Sequence, residues 1–249
     1  MIHYYTVFTI TILLLPCWVY PSDIFCPVFY QWCQETRTIL PQPYDAIINL
    51  GDNCQIAYQM RLQGLRNESL PFDWIITPFE ALQKILKDSF EHFLKKENLI
   101  FIHTHNEKHI LDTYYGIKFL HDFKLEENFL KDYDTVQQTY SRRIARFFRI
   151  LKESRHALFI RKKITKEQAL ALRTLLQTLC PNNDFLILAV GNTHDMKTDW
   201  NLAHIKNVYL AQADSWKGDP EAWKVIFTEL GLNMAPQEDP IPLFKINYY

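Results

Sequence analysis

Short apolar runs alternating with helical periodicity limit what this chain can fold into, and the alternation is plainest after residue 155. Ala157 to Arg161 reads as a strand, Lys166 to Leu179 as a helix, Phe185 to Val190 and Val208 to Ala213 as strands, and Pro220 to Leu230 as a helix. Asp219 is the expected N-cap of that last helix and Gly231 its stop. Strands that are apolar along their whole length, rather than at every second position, are built to be buried on both faces. Interleaved with helices, they predict an α/β fold with a mostly parallel central sheet flanked by helices, in a single domain.

The folded body begins near Tyr44. Asp45 to Leu50 is a short run suited to a buried strand, and Gly51 ends it. The period then changes: Ile56, Ala57, Met60 and Leu65 recur at helical spacing, with Gly64 as a left-handed stop. Thr77 and Pro78 predict the N-cap and first turn of a second helix through Leu86. Short strands follow around Leu99 to His103 and Gly116 to His121. Phe129, Tyr133, Val136, Tyr140, Ile144, Phe147 and Leu151 are spaced by threes and fours, as in one long amphipathic helix. Arg142, Arg143, Arg146 and Arg149 fall toward its C-terminal end, where cations suit the helix dipole. The expected organisation is a single domain over 44–235, with an arm at 23–43 before it and a tail at 236–249 after it.

From Tyr4 to Leu15 the chain is apolar, a run of about 12 residues that matches a signal-peptide core and falls short of the ~20 a membrane span requires. Residues 1–22 therefore read as a signal peptide or N-terminal anchor, and the protein as exported, periplasmic or secreted. Cysteines stand at 17, 26, 33, 54 and 180, with no pair at zinc-ribbon or thioredoxin spacing. Cys26 and Cys33 are a candidate disulfide in an oxidising compartment. The formal charge is −1, from 27 basic and 28 acidic residues, so no surplus exists to hold nucleic acid or an anionic membrane surface. The 6 glycines are too far apart for a P-loop or a dinucleotide-binding turn, and no cofactor is called for. His103 and His105 would share one strand face, and with His109 they raise a metal reading; an exposed histidine cluster holding no metal is the expectation.

The chemistry concentrates in Asn49-Leu50-Gly51-Asp52-Asn53-Cys54-Gln55, which sets a thiol where a strand ends and a helix begins. Unpaired N–H groups and the positive helix end stabilise a thiolate and can hold an oxyanion. Cys54 is therefore expected to have a lowered pKa and to be alkylated before Cys180, with Asp52 and Asn53 lining the site. The alternative is a small buried hydrophobe. Arg61 and Arg66 are either bidentate ligands for a substrate carboxylate or part of a solvated helix face. Asp73 and Trp74 either line the site, with Asp73 pairing an arginine, or serve as a turn cap and a core aromatic. Their apolar neighbours favour the structural role.

Leu50-Gly51-Asp52-Asn53-Cys54, Arg61-Leu62, Gly64-Leu65-Arg66 and Pro71-Phe72-Asp73-Trp74-Ile75 together make a dense signature. It continues in His121-Asp122-Phe123, Tyr140, Arg142-Arg143, Arg146-Phe147 and Phe159-Ile160-Arg161. This pattern resembles a family of mostly uncharacterised proteins described as papain-like cysteine peptidases, over most of the chain after residue 44. The resemblance implies Cys54 as nucleophile and His121 as base, in the order papain-like enzymes share, with Asp122 or a later acid orienting the imidazole. The implied substrate is a peptide or another amide or ester. Two other classes stay open: a non-catalytic exported binding protein with a ligand surface at Pro71 to Trp74, and a related hydrolase or transferase in which Cys54 is structural.

Overall fold

The computed structural model describes residues 43–105 and 107–235. In chain order its elements are β1 (Ala46–Asn49), α1 (Gln55–Leu62), β2 (Ile75–Ile76), α2 (Phe79–Lys87), β3 (Leu99–His103), β4 (Lys108–Asp112), β5 (Ile117–Phe119), α3 (Tyr133–Glu153), β6 (His156–Lys162), α4 (Lys166–Leu179), β7 (Asp184–Gly191), β8 (Ile205–Tyr209) and α5 (Pro220–Glu229). Strands β1, β6, β7 and β8 form a wholly parallel sheet in that order. The α/β expectation holds: β6 sends Leu158 and Ile160 into a core with Ile56 and Met60 of α1 and Trp223 and Phe227 of α5. Ala157 and Phe159 point the other way, into a core with Leu82 of α2, Phe147 of α3 and Leu172 of α4. Helices cover both faces, which is why β6 is apolar through consecutive positions.

A second, antiparallel sheet in the order β2, β5, β4, β3 was not foreseen. Strand β2 has only 2 residues, too few to show a period. In β4 the buried positions are His109, Ile110 and Asp112, so polar residues stand where an apolar alternation would have signalled a strand. Asp112 is buried because it caps the following turn, accepting from the N–H groups of Tyr114 (3.0 Å) and Tyr115 (3.1 Å). Pairing Ile102 with His109 and His103 with Lys108 puts His103 and His109 on opposite faces of this sheet. Among the described residues no group of three or more histidine, cysteine or acidic side chains is arranged to hold a metal.

Local signals mostly act as expected at the helix ends. Gly64 has φ +68° and lets Leu65 N–H close on Met60 O at 2.7 Å. Asp219 accepts from Glu221 N–H and Ala222 N–H at the start of α5. Thr77 is a correction: α2 begins at Phe79 with Pro78 in the cap position, and the Thr77 hydroxyl makes no cap bond. The long helix opens as a tighter turn over Phe129–Asp132 before α3 proper. Strand β8 lies upstream of the expected Val208–Ala213 run, since Leu210 N–H makes its last bond to Gly191 O and the chain then turns away. The leader or anchor, most of the arm, the Cys26–Cys33 pairing and the C-terminal tail lie outside the described residues. No described helix is long and apolar enough to cross a membrane.

Candidate active site

The site is built on the turn leaving β1. Asn49 takes Gly51 N–H on its side-chain oxygen at 2.8 Å and spans to Phe72 O and Asp73 with its amide. Gly51 has φ +88°, and a Cβ there would lie 2.7 Å from Arg161 Nη1. Arg161, on β6, is 1% exposed and donates to Leu50 O (2.6 Å) and Thr77 O (2.8 Å), while Thr77 N–H donates to Asp52 O. The turn is thus clamped from two sides. Gly51→Ala combines a left-handed backbone with this collision and is expected to lower stability by about 2–4 kcal/mol. Urea unfolding measures it; a cost below about 0.5 kcal/mol would mean the clamp yields freely.

Cys54 caps α1 at its N-terminus, 2% exposed. The nearest helix-start N–H, that of Gln55, is taken by Asn53 Oδ1 at 3.0 Å. Asn53 keeps its amide donor free of hydrogen bonds among the described residues, so it remains able to meet an oxyanion. Gln55 and Gln59 pin α1 by donating to Trp216 O (2.9 Å) and Lys217 O (2.6 Å). Burial pushes the Cys54 thiol up to about 12, helped by the carboxylates of Asp122, Asp73 and Asp52. This corrects the expected lowering: burial and three like-sign neighbours outweigh the field of one eight-residue helix. Cys180 is 3% exposed, bonded to Leu176 O, and pushed by burial to about 11. The two thiols are alike in burial, so the expected order of alkylation has no basis in the resting structure. Neither is in a disulfide.

Asp122 lies just past β5 and acts on both candidate catalytic groups. Its charge is the largest raising the Cys54 thiol and the one that acts on the His121 imidazole. Tyr140 Oη donates to one carboxylate oxygen at 2.8 Å and Arg143 Nη1 to the other at 3.1 Å. The Arg143 guanidinium also stacks over the Tyr140 ring at 4.7 Å. Asp122 therefore does not orient His121 through a hydrogen bond, as the sequence suggested; its oxygens are held by α3. Residues Tyr140 and Arg143 were missed as site residues. The signal for them was their three-residue spacing, which puts them on one face of α3. His121 is exposed and meets the Trp74 ring edge to face, 6.3 Å between centroids at 86°. Desolvation by its surroundings lowers its pKa, opposed by Asp122.

Asp73 both pairs an arginine and caps a turn. It accepts from Arg66 Nε (3.0 Å) and caps a turn through Leu70 N–H (2.9 Å), and burial raises its pKa against these bonds. Trp74 is a correction to the core-aromatic reading: it is half-buried between His121 and the Arg66 guanidinium, which lies 5.5 Å from its ring. Arg66 is occupied by Asp73 and Ser69, so it is not a free carboxylate ligand. The Arg61 guanidinium makes no hydrogen bond among the described residues, but Arg61 is seven positions along the chain from Cys54, about 10 Å of helix rise. Asp52 pairs Lys163 at 3.1 Å through Oδ2, while its buried Oδ1 has no partner. A cleft of about 470 Å³ opens instead at the amino end of β1, lined by Tyr44, Met60, Arg66, Asp73 and Arg149, and does not reach Cys54 or His121.

Residues 45–195 match the family described as "Putative papain-like cysteine peptidase (DUF1796)". The chain belongs to that family. The matched span runs from β1 past β7, so the family region contains the β1 turn, Cys54, the His121-Asp122 pair and Arg161. An uncharacterised protein of Acanthamoeba polyphaga mimivirus is 27% identical over 179 residues, covering 61% of this chain and 80% of the viral protein. No solved structure matches.

Proposed function

We propose that the protein is a cysteine-dependent hydrolase of amide or ester bonds, with Cys54 as nucleophile and His121 as general base. The observation that supports this reading is the family match over residues 45–195, which contains Cys54 at the β1 turn and the His121-Asp122 pair, together with the Asp122 carboxylate, which follows His121 and is near enough to raise the Cys54 thiol. A thiol held protonated suits general-base catalysis rather than a preformed thiolate–imidazolium pair, and a lowered imidazole pKa keeps the base neutral at pH 7. The thiol proton passes to His121 as sulfur bonds the carbonyl carbon, and the carbonyl electron pair moves to oxygen. Asn53 Nδ2 is the donor available to that oxyanion. Collapse breaks the C–N or C–O bond, and the leaving amine or alcohol takes the proton from imidazolium. Water then cleaves the thioester with His121 again as base, returning the thiol.

Incubation with p-nitrophenyl acetate followed by acid quench and peptide mass analysis should find the acyl group on Cys54. Hydrolysis that persists undiminished in Cys54→Ala would end the proposal. Activity should fall as pH drops below the ordinary imidazole value, because the base is lost on protonation, and should stay level from neutral to moderately alkaline pH. A rate that climbs steeply above pH 8 would point to attack by a preformed thiolate instead. His121→Ala should lower the rate about a hundredfold or more and leave the residual rate without an acid limb, without lowering the melting temperature by more than a few degrees, since His121 is exposed. The burial of Cys54 favours a second reading, a structural thiol beside a binding turn, which retention of activity in Cys54→Ala would select. The apolar run Tyr4 to Leu15 supports export, and intact mass of exported protein should then begin after about residue 22.

A further inference from the structure

Three consecutive cations, Arg161, Lys162 and Lys163, close β6 at the carboxyl edge of the parallel sheet, the edge on which open α/β sheets bind ligands. Arg161 points into the core beneath Gly51. Lys162 N–H donates to Gly51 O at 3.0 Å, so the strand end lies directly beside the turn that carries Cys54. Lys162 follows Leu158 and Ile160 in the strand alternation, on the face covered by α1, and its register partner Val190 belongs to the same core. Lys162 is half-buried as a residue, and its ammonium makes no hydrogen bond or contact ion pair among the described residues. Desolvation lowers its pKa; Asp52 is the carboxylate that acts against this, and Lys163 adds to it. Asp52 is already held by Lys163 at 3.1 Å. Lys163 is in the left-handed region at φ +50°, with its N–H on Val190 O at 2.8 Å and its side chain 65% exposed.

We infer that Lys162 and Lys163 form an anion subsite beside Cys54, which takes a carboxylate or phosphate group carried by the acyl substrate. This deepens the hydrolase reading and rests on it for the word substrate; the subsite itself rests on the cation geometry. The Lys162 ammonium, which touches no carboxylate, gains a charge-assisted hydrogen bond when an anion arrives, and Lys163 exchanges its solvent-exposed pairing with Asp52 for one to the anion. The substrate class is therefore an anionic acyl compound rather than a neutral one.

Two measurements on the full chain test this, one free of catalysis. Succinate and inorganic phosphate are titrated into wild type, Lys162→Met, Lys163→Met and Lys162→Arg by calorimetry. One of the two anions should bind wild type and Lys162→Arg, and each methionine variant should weaken it about tenfold or more. The anion that binds names the chemistry. In the second measurement, kcat/KM for mono-p-nitrophenyl adipate divided by that for p-nitrophenyl acetate should fall about tenfold in Lys163→Met. Lys163 is exposed, so its variant keeps the test valid if Lys162→Met does not fold. Binding of neither anion to wild type, or equal binding to wild type and both methionine variants, overturns the subsite. Anion binding that the variants lose, joined to ester cleavage that survives in Cys54→Ala, leaves the subsite standing and removes the hydrolase reading.

Discussion

At about pH 8 the Cys54 thiol of the folded protein should react with iodoacetamide about a thousandfold more slowly than the same thiol in the urea-unfolded chain. The thiolate is the reacting form, and its pKa moves from 9.0 to about 12 on folding. Each unit is a factor of ten in thiolate population, so three units give about three decades; the greater nucleophilicity of a more basic thiolate returns about one of them, and the near-complete burial of the sulfur takes it away again. The cause is burial at 2% exposure, reinforced by the Asp122, Asp73 and Asp52 carboxylates. Timed labelling with peptide mass readout, in buffer and in urea, measures the ratio. A ratio under about ten, with an inflection near pH 9 in the native protein, would show that the thiol is solvated and the carboxylates remote.

The same shift makes a prediction about stability. A thiol is neutral when protonated, and both Cys54 and Cys180 have folded pKa values above the unfolded 9.0. Below about pH 8 both states are protonated and the thiols add no pH dependence. As pH rises from 9 toward 12 the unfolded chain loses its protons first, so the folded state loses stability, by up to about 4 kcal/mol for Cys54 at the top of that window. Cys54→Ala should make this decline shallower in urea melts across that range, leaving the part due to Cys180 and to Tyr115 and Tyr140, whose hydroxyls are also pushed above their ordinary value by burial.

Arg161→Met should lower stability by about 3 kcal/mol and raise the alkylation rate of Cys54 in the same variant. Methionine fills much of the same volume, so packing is largely kept. What is lost is a pair of donors to Leu50 O and Thr77 O, and backbone carbonyls cannot be mutated away to compensate. Each buried acceptor left bare costs about 1–3 kcal/mol, offset in part by relief of burying a guanidinium that has no carboxylate in contact. Burial lowers the Arg161 pKa to about 10, so it is still charged at neutral pH. Arg161→Lys should recover little, because one ammonium does not match two carbonyls on opposite sides of a planar fork. Since Leu50 and Thr77 flank the turn that carries Cys54, loosening them should expose the thiol. A loss under about 1 kcal/mol with unchanged labelling would mean the turn is held by Asn49 and the cores alone.

What the residues determine locally was legible. The double-sided burial of β6 shows in Ala157 to Ile160, and the start and end of α5 in Asp219 and Gly231, because strand burial, capping and left-handed stops depend on neighbours a few positions away. Cys54 at a strand-to-helix turn was readable for the same reason. Its protonation state was not, since it depends on carboxylates at 73 and 122 that are distant in sequence and on how completely the core excludes water. Strand β4 is not legible because its buried positions include His109 and Asp112, and the burial of Asp112 is offset by capping the following turn at Tyr114 and Tyr115 rather than by apolar contact. Local chemistry along the chain settles which elements form; only tertiary packing decides that Tyr140 and Arg143 grip Asp122, that Arg161 lies under Gly51, and that the end of β6 carries Lys162 to the turn before Cys54, because charge and desolvation act through space.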